Sequence, residues 1–282
     1  MTPGPPPPKS RPSSPPPVAP PSAGVTTNSV DLDSMFTDGK LQGRGDRVII
    51  WGAAGAGKTT LASLAPKAVL IDLEGSTNVE MPRFEPRSYD DVCAVLASDD
   101  KRITGAETII VDTLSSVENM IRDNVIRSHK EDGKSIERLD DIGWGRGPGM
   151  VYDAARRMIP LIDRHVREGR SVVLLAHGAM AAMTTPNGEK YDQAVPRLLH
   201  GEKGTSLRNL FVEWAAEVVH IASDRAVNTK TRTAEVSETR TLYFVTVNGA
   251  IAKSRTLAAY QRLEMESKTD DRFWQMLQGA RA

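Results

Sequence analysis

The sequence predicts an α/β fold, a mostly parallel, doubly wound sheet with helices on both faces. Three observations carry that expectation. Short apolar runs recur between helical patterns from Arg47 to Ala176, and strands alternating with helices build parallel sheets. The runs are apolar throughout instead of alternating with polar residues, as strands covered on both faces require. The first run opens into a glycine-rich turn and then a helical stretch, Gly52-Ala-Ala-Gly-Ala-Gly-Lys-Thr59 followed by Thr60–Ala65.

Each element follows in order. The first strand is Arg47–Trp51, the second Ala68–Asp72, the third Thr108–Asp112 and the fourth Ser171–Ala176. Between them lie a helix around Tyr89–Ala97 introduced by Ser88, an amphipathic helix at Ser115–Ser128, and a helix over Met150–Glu168 closing at Gly169. Val117, Met120, Ile121 and Val125 fall at helical spacing. The polar segment His129–Gly149 interrupts the pattern. Gly178 to about Thr205 is expected as a long irregular connection, and connections above ~15 residues without structure are uncommon in compact domains. An amphipathic segment at Leu207–Ala216, a strand at Glu217–Ala222 and a flexible polar excursion over 223–239 come next. Arg240–Val247 and Ala250–Arg255, joined by Asn248-Gly249, predict a C-terminal β-hairpin, because Asn-Gly favours the two-residue turn. Asp270–Leu277 predicts a short helix. The expected organisation is a disordered proline-rich tail at 1–24, a transition at 25–44, a core at 45–258 and a helical tail at 259–282. The tail follows from Pro5–Pro8 and Pro15–Pro17, which favour polyproline II and build no core.

Composition narrows the function classes. Lys plus Arg and Asp plus Glu are 36 each, so any nucleic-acid binding must use a local patch. The single cysteine, Cys93, is expected as a packed residue and fits a reducing, cytoplasmic setting. No apolar run approaches the ~18 residues of a membrane span.

The chemistry centres on Gly52–Thr59, which fits G-x-x-x-x-G-K-[ST]. Glycines let successive N–H groups face one phosphate, and the following helix start adds partial positive charge. Gly52, Ala53, Ala54, Gly55, Ala56, Gly57, Lys58, Thr59 and Thr60 are therefore expected to hold a nucleotide, ATP. Lys58 reaches the β- and γ-phosphates, and Thr59 ligates Mg²⁺. Asp112 closes an apolar strand, the position from which a carboxylate serves the metal in such sites. Glu74, just past the second strand, is the expected activator of water if the first two strands flank one crevice; Asp72 is the competitor, read as structural. His177 closes the fourth strand, placed either to sense the γ-phosphate or to sit as a buried, hydrogen-bonded histidine. The connection beyond it carries Lys190, Arg197, His200 and Lys203. Lys253 and Arg255 alternate on one strand, which suits either a pair of cations serving a neighbouring subunit's nucleotide or an edge-strand solubility device.

Together these residues resemble the RecA-like ATPases, and more closely the phage-encoded single-domain RecA-core ATPases that accompany single-strand annealing recombination. The resemblance rests on Gly52–Thr59, Leu70-Ile-Asp-Leu-Glu-Gly75, Thr108–Asp112, Gly143-Trp-Gly145, Leu175-Ala-His177, Val195-Pro-Arg-Leu198, Glu213-Trp-Ala215 and Ala252-Lys-Ser-Arg255. It implies Glu74 as catalytic carboxylate, His177 as a switch, and Lys253 and Arg255 as fingers acting across a subunit interface. Ser254 stands between those two where the pattern leads one to expect Asn. The resemblance further implies a homo-oligomer, ring or filament, binding single-stranded DNA through Gly178–Gly204 and His129–Gly149, with a single-strand-binding protein as a possible helper. Two rivals share the nucleotide site: a ring-forming helicase-like motor or loader, and a small-molecule kinase, for which Arg138, Arg146, Arg156 and Arg157 are scattered where a lid would cluster them. A nucleotide-gated binding module with little turnover is a further reading, against which Glu74 argues.

Overall fold

In the computed structural model the residues described are 43–201, 204–228, 233–247 and 249–280, the side chains of 224–228 and 233–238 excepted. The proline-rich tail, Lys203 and Asn248 lie outside them. The strands are β1 (Arg47–Gly52), β2 (Ala68–Asp72), β3 (Arg83–Phe84), β4 (Thr108–Asp112), β5 (Lys130–Glu131), β6 (Lys134–Ser135), β7 (Ser171–Thr184), β8 (Lys190–Pro196), β9 (Glu217–Asn228), β10 (Thr233–Tyr243), β11 (Lys253–Ser254) and β12 (Arg262–Met265). The helices are α1 (Lys58–Ser63), α2 (Tyr89–Ala97), α3 (Lys101–Thr104), α4 (Leu114–Ser128), α5 (Gly147–Arg156), α6 (Met158–Arg167), α7 (Leu207–Trp214) and α8 (Arg272–Gly279).

The main sheet runs β12-β10-β9-β1-β7-β4-β2-β3, parallel from β9 to β3. Alternate residues of each strand enter two separate cores. Ile49, Trp51, Ile71, Val111 and Leu174 pack with α2, α4, α5, α6 and α7. Val48, Ile50, Leu70, Ile110 and Leu175 pack with α1 and α8 on the other face. This is the doubly wound sheet expected from uniformly apolar strands.

Helix starts follow local chemistry. Ser88, Thr113 and Ser206 each accept from a backbone N–H three residues on, capping α2, α4 and α7. The helix expected over Met150–Glu168 is two, α5 and α6, meeting at Arg157; Pro148 supports the start of α5. Cys93 is half-buried against the first core, and burial pushes its thiol pKa up.

Four expectations are corrected. The stretch after His177 is no irregular loop. β7 runs on to Thr184 and pairs antiparallel with β8, Gly178 opposite Pro196 through Thr184 opposite Lys190, leaving only the turn and the described residues just after Pro196 irregular. Of the polar excursion expected over 223–239, the described residues 223–228 and 233–239 belong to an antiparallel pair, β9 with β10. The expected ladder between Arg240–Val247 and Ala250–Arg255 is cut to one antiparallel bridge, Val247 with Ala250: β10 pairs with β9 and β12, and β11 continues along the same edge of β9, Lys253 opposite Val218. The described residues between them are tied by Ala250 N–H to Val247 O at 3.0 Å and by Thr246 bridging to Ala252. The turn signal is local; the ladder partner was decided by the long free edge of β9. Finally, residues after 258 build into the core. β12 is an edge strand of the sheet, and the buried Trp274 donates from Nε1 to Leu61 O at 2.8 Å.

Candidate nucleotide site

The phosphate loop leaves β1 at Gly52 and enters α1 at Lys58. Gly52 has to be glycine, since a Cβ there would lie 2.3 Å from Ile221 O on β9. Gly57 adopts φ +92°, a left-handed conformation that non-glycine residues rarely take. A cleft of about 480 Å³ opens over the loop. Ala54, Gly55, Gly57, Lys58, Thr59, Thr60, Asp72, Glu74, Asp112 and His177 line it, so the residues singled out from the sequence converge. Ala53 and Ala56 belong to the same turn, Ala56 N–H donating to Ala53 O at 3.2 Å.

Lys58 is folded onto its own loop, its Nζ donating to Ala53 O at 2.9 Å and Gly52 O at 3.3 Å. Burial lowers its pKa, while Asp112 and Glu74 oppose that and Arg197 adds to it. Thr59 Oγ1 donates to Asp112 Oδ2 at 2.6 Å. Burial raises the Asp112 pKa, against the Thr59 hydrogen bond. A hydroxyl and a carboxylate converging in this way fit Mg²⁺, which takes one or two protein oxygens beside phosphate and water oxygens.

Glu74 reaches the site by a route other than the one expected. β1 and β2 are not neighbours; β7 and β4 stand between them. Glu74 instead leaves the end of β2 and crosses over β4. Its Oε1 accepts from Thr113 Oγ1 at 2.9 Å and Ser116 Oγ at 3.2 Å, and lies 2.9 Å from His177 Nε2. Burial pushes its pKa up, but the bonds from His177, Thr113 and Ser116 outweigh it and hold the carboxyl below its ordinary value. Asp72 has the structural role expected. Its Oδ1 accepts from Glu74 N–H and Gly75 N–H at 3.1 and 2.8 Å, and its Oδ2 pairs with Arg83 at 3.2 Å, which fixes the turn presenting Glu74.

The cations do not all gather here. Lys253 and Arg255 are absent from the cleft lining. Lys253 sits beyond β9, level with Ile49 through Val218, and its Nζ donates to Val212 O at 2.6 Å. Burial, then Arg255, lowers its pKa. Arg255 is exposed. Of the four residues expected along the connection, the three described ones also separate. Lys190 is exposed at the far end of the β7–β8 hairpin, and His200 Nδ1 lies 2.8 Å from the capping Ser206 Oγ. Arg197 is at the hairpin root, its N–H donating to His177 O at 2.7 Å. One residue's role and one residue's exposure escaped sequence reading. Arg240, on β10, lines the cleft beside Gly57; no motif marks it. Trp144 is 99% exposed on a 3₁₀ turn pinned by Glu131, whose Oε1 accepts from Gly143 N–H and Arg146 Nη2. The flanking glycines, Gly143 and Gly145, were the available signal for a displayed side chain.

A strand, a phosphate-binding turn and a helix, with the carboxylate of Asp112 two strands away across β7, define a P-loop nucleotide-binding protein. The family model described as an AAA domain matches residues 44–256. The chain belongs to that family, and so to the AAA-type P-loop ATPases. No curated protein matches it. Among the described residues no helix is long and apolar enough to cross a membrane.

Proposed function

We propose that this ATPase is RecA-like in mechanism, an oligomer that binds single-stranded DNA and couples that binding to ATP hydrolysis in recombination of the annealing type. The observation that carries the reading is the 2.9 Å contact between Glu74 and His177, because His177 is the residue from which the β7–β8 hairpin departs. Whatever moves Glu74 on nucleotide binding or hydrolysis acts on the root of that hairpin.

Within the site, Thr59 and Asp112 would hold Mg²⁺, which would offset the charge of the phosphates. Lys58 leaves the carbonyls of Gly52 and Ala53 for the phosphates. The three contacts on Glu74 all fall on Oε1, which leaves Oε2 to orient water toward the γ-phosphate and draw its proton. The lowered pKa keeps this carboxylate in its basic form at neutral pH.

The hairpin supports the DNA end of the reading. Seven paired positions beyond His177 extend it by roughly 24 Å at ~3.4 Å per residue. It displays Met180, Tyr191 and Lys190, while Trp144 is displayed on the connection between α4 and α5. A cation and exposed aromatics suit backbone tracking with stacking on bases. Arg255 and Lys253, lying away from their own cleft, are read as acting on a neighbouring subunit's nucleotide. The test is ATP hydrolysis with and without single-stranded DNA. Stimulation by DNA is expected; stimulation by a small metabolite alone would favour the kinase reading and overturn this one.

A further inference from the structure

Arg240 is a cation over the phosphate loop that no motif announces. A methyl group placed on Gly57 would fall 2.6 Å from Arg240 Nη1, 2.7 Å from Cζ and 3.0 Å from Nε, so the guanidinium lies flat against this glycine. Arg240 also lines the cleft. Among the described residues no carboxylate pairs with it. A guanidinium resting on a loop that already contains Lys58, with no carboxylate partner among the described residues, is arranged for an anionic ligand. Its planar fork matches two phosphate oxygens at once.

The sheet order says which part of a nucleotide it meets. Asp112 and Glu74 mark the γ-phosphate end, on β4 and beyond the end of β2, to one side of β1. Arg240 comes from β10, on the opposite side of β1 across β9. It therefore approaches the loop from the flank away from the hydrolytic groups. The backbone pairings, Arg240 opposite Ser223 on β9 and Met265 on β12, hold its main chain within three strands, so it is preorganised and not carried on a mobile loop.

We propose that Arg240 is a nucleotide-binding residue contributed by the same subunit, gripping the diphosphate portion common to ATP and ADP. It differs in role from Glu74 and from the interface cations, which act at the γ-phosphate. Arg240 sets how long the product stays after hydrolysis, and so how long a subunit remains in its ADP state. This rests on the ATPase reading above.

The test measures binding of fluorescent ADP and ATP analogues, with Mg²⁺, to the full chain and to Arg240→Ala, Arg240→Lys and Lys58→Ala. Arg240→Ala should raise Kd for both nucleotides by the same factor, roughly tenfold or more for a lost charge-assisted contact. Arg240→Lys should restore part of that loss. In steady-state hydrolysis the fall in kcat/KM should be carried mainly by KM, and ADP release should quicken in stopped flow. An ADP Kd unchanged in Arg240→Ala, with Lys58→Ala impaired, overturns the Arg240 assignment alone. A factor confined to ATP overturns it too, by placing the contact at the γ-phosphate. Failure of the wild-type chain to bind either nucleotide overturns this assignment and the ATPase reading together. Arg240→Gln, which keeps the aliphatic stem and loses the charge, separates loss of the contact from loss of packing: wild-type ADP affinity in that variant overturns the proposal.

Discussion

At the residue scale the proposed site divides into groups expected to bind and a group expected to react. Lys58→Ala is expected to abolish tight ATP binding, measured by fluorescent-nucleotide titration. Glu74→Gln should keep binding and lose turnover by about 10²–10⁴-fold, the usual range for general-base loss; normal turnover in that variant would sink the catalytic assignment. His220 gives a stability prediction. It stacks between Trp51 and Tyr243, with ring centroids 4.3 and 5.9 Å away, and burial lowers its pKa to about 4. Its ordinary value is near 6.5. Above that the ring is neutral folded and unfolded, and contributes no pH dependence. Below it the unfolded chain takes a proton that the folded chain refuses. Stability therefore falls as pH drops from about 6.5 toward 4, by up to about 3 kcal/mol, and this contribution levels off below. In His220→Phe that slope should flatten in urea titrations across the same window; an unchanged slope would show that other groups carry it.

At the element scale, two pieces connect the nucleotide to the rest of the fold. α8 closes the face beneath the phosphate loop, with Phe273, Trp274 and Leu277 buried against α1 and its neighbours. Trp274→Ala is expected to destabilise the chain by roughly 3–5 kcal/mol, as large core truncations do, visible as a lower urea midpoint. The β7–β8 hairpin is the second piece. Its root is tied to the bulge before β11 by Ala194 N–H to Gly249 O at 2.9 Å and Ile251 N–H to Ala194 O at 3.0 Å. A shift at His177 thus has a path to the strand bearing Lys253. His177→Ala should reduce the DNA-dependent rise in ATPase rate more than the rate without DNA; equal loss in both would make His177 part of the hydrolytic site alone.

For the whole molecule, the open question is one subunit or several. Lys253 and Arg255 stand away from the cleft of their own chain. If they serve a neighbour, mixing Arg255→Ala chains with Lys58→Ala chains should recover part of the ATPase activity, because some interfaces then combine an intact loop with an intact Arg255. Mixtures no more active than their components would remove the intersubunit role. Activity that rises with protein concentration should accompany recovery.

Sequence by itself determined the parallel core, the phosphate loop, the residues Thr59 and Asp112 that meet beside it, and Asp72 as a support for its own turn. These are legible because they depend on residues close along the chain: apolar runs, a glycine pattern, a carboxylate at a strand end. Glu74 was legible as a residue, but its path was not. Strand order is a long-range choice, and the sheet placed β7 and β4 where adjacency of β1 and β2 was expected. The same reason explains the missed β8, the Asn-Gly hairpin cut to a single bridge, and Arg240. A polar strand carries a weak pattern, and a turn signal says nothing of the edge its flanks will meet. An arginine on such a strand acquires its meaning only when β9 and β10 carry it to Gly57. Local chemistry lies within the reach of a few residues; pairing across the sheet is settled by which free edges compete, and only the tertiary structure decides that.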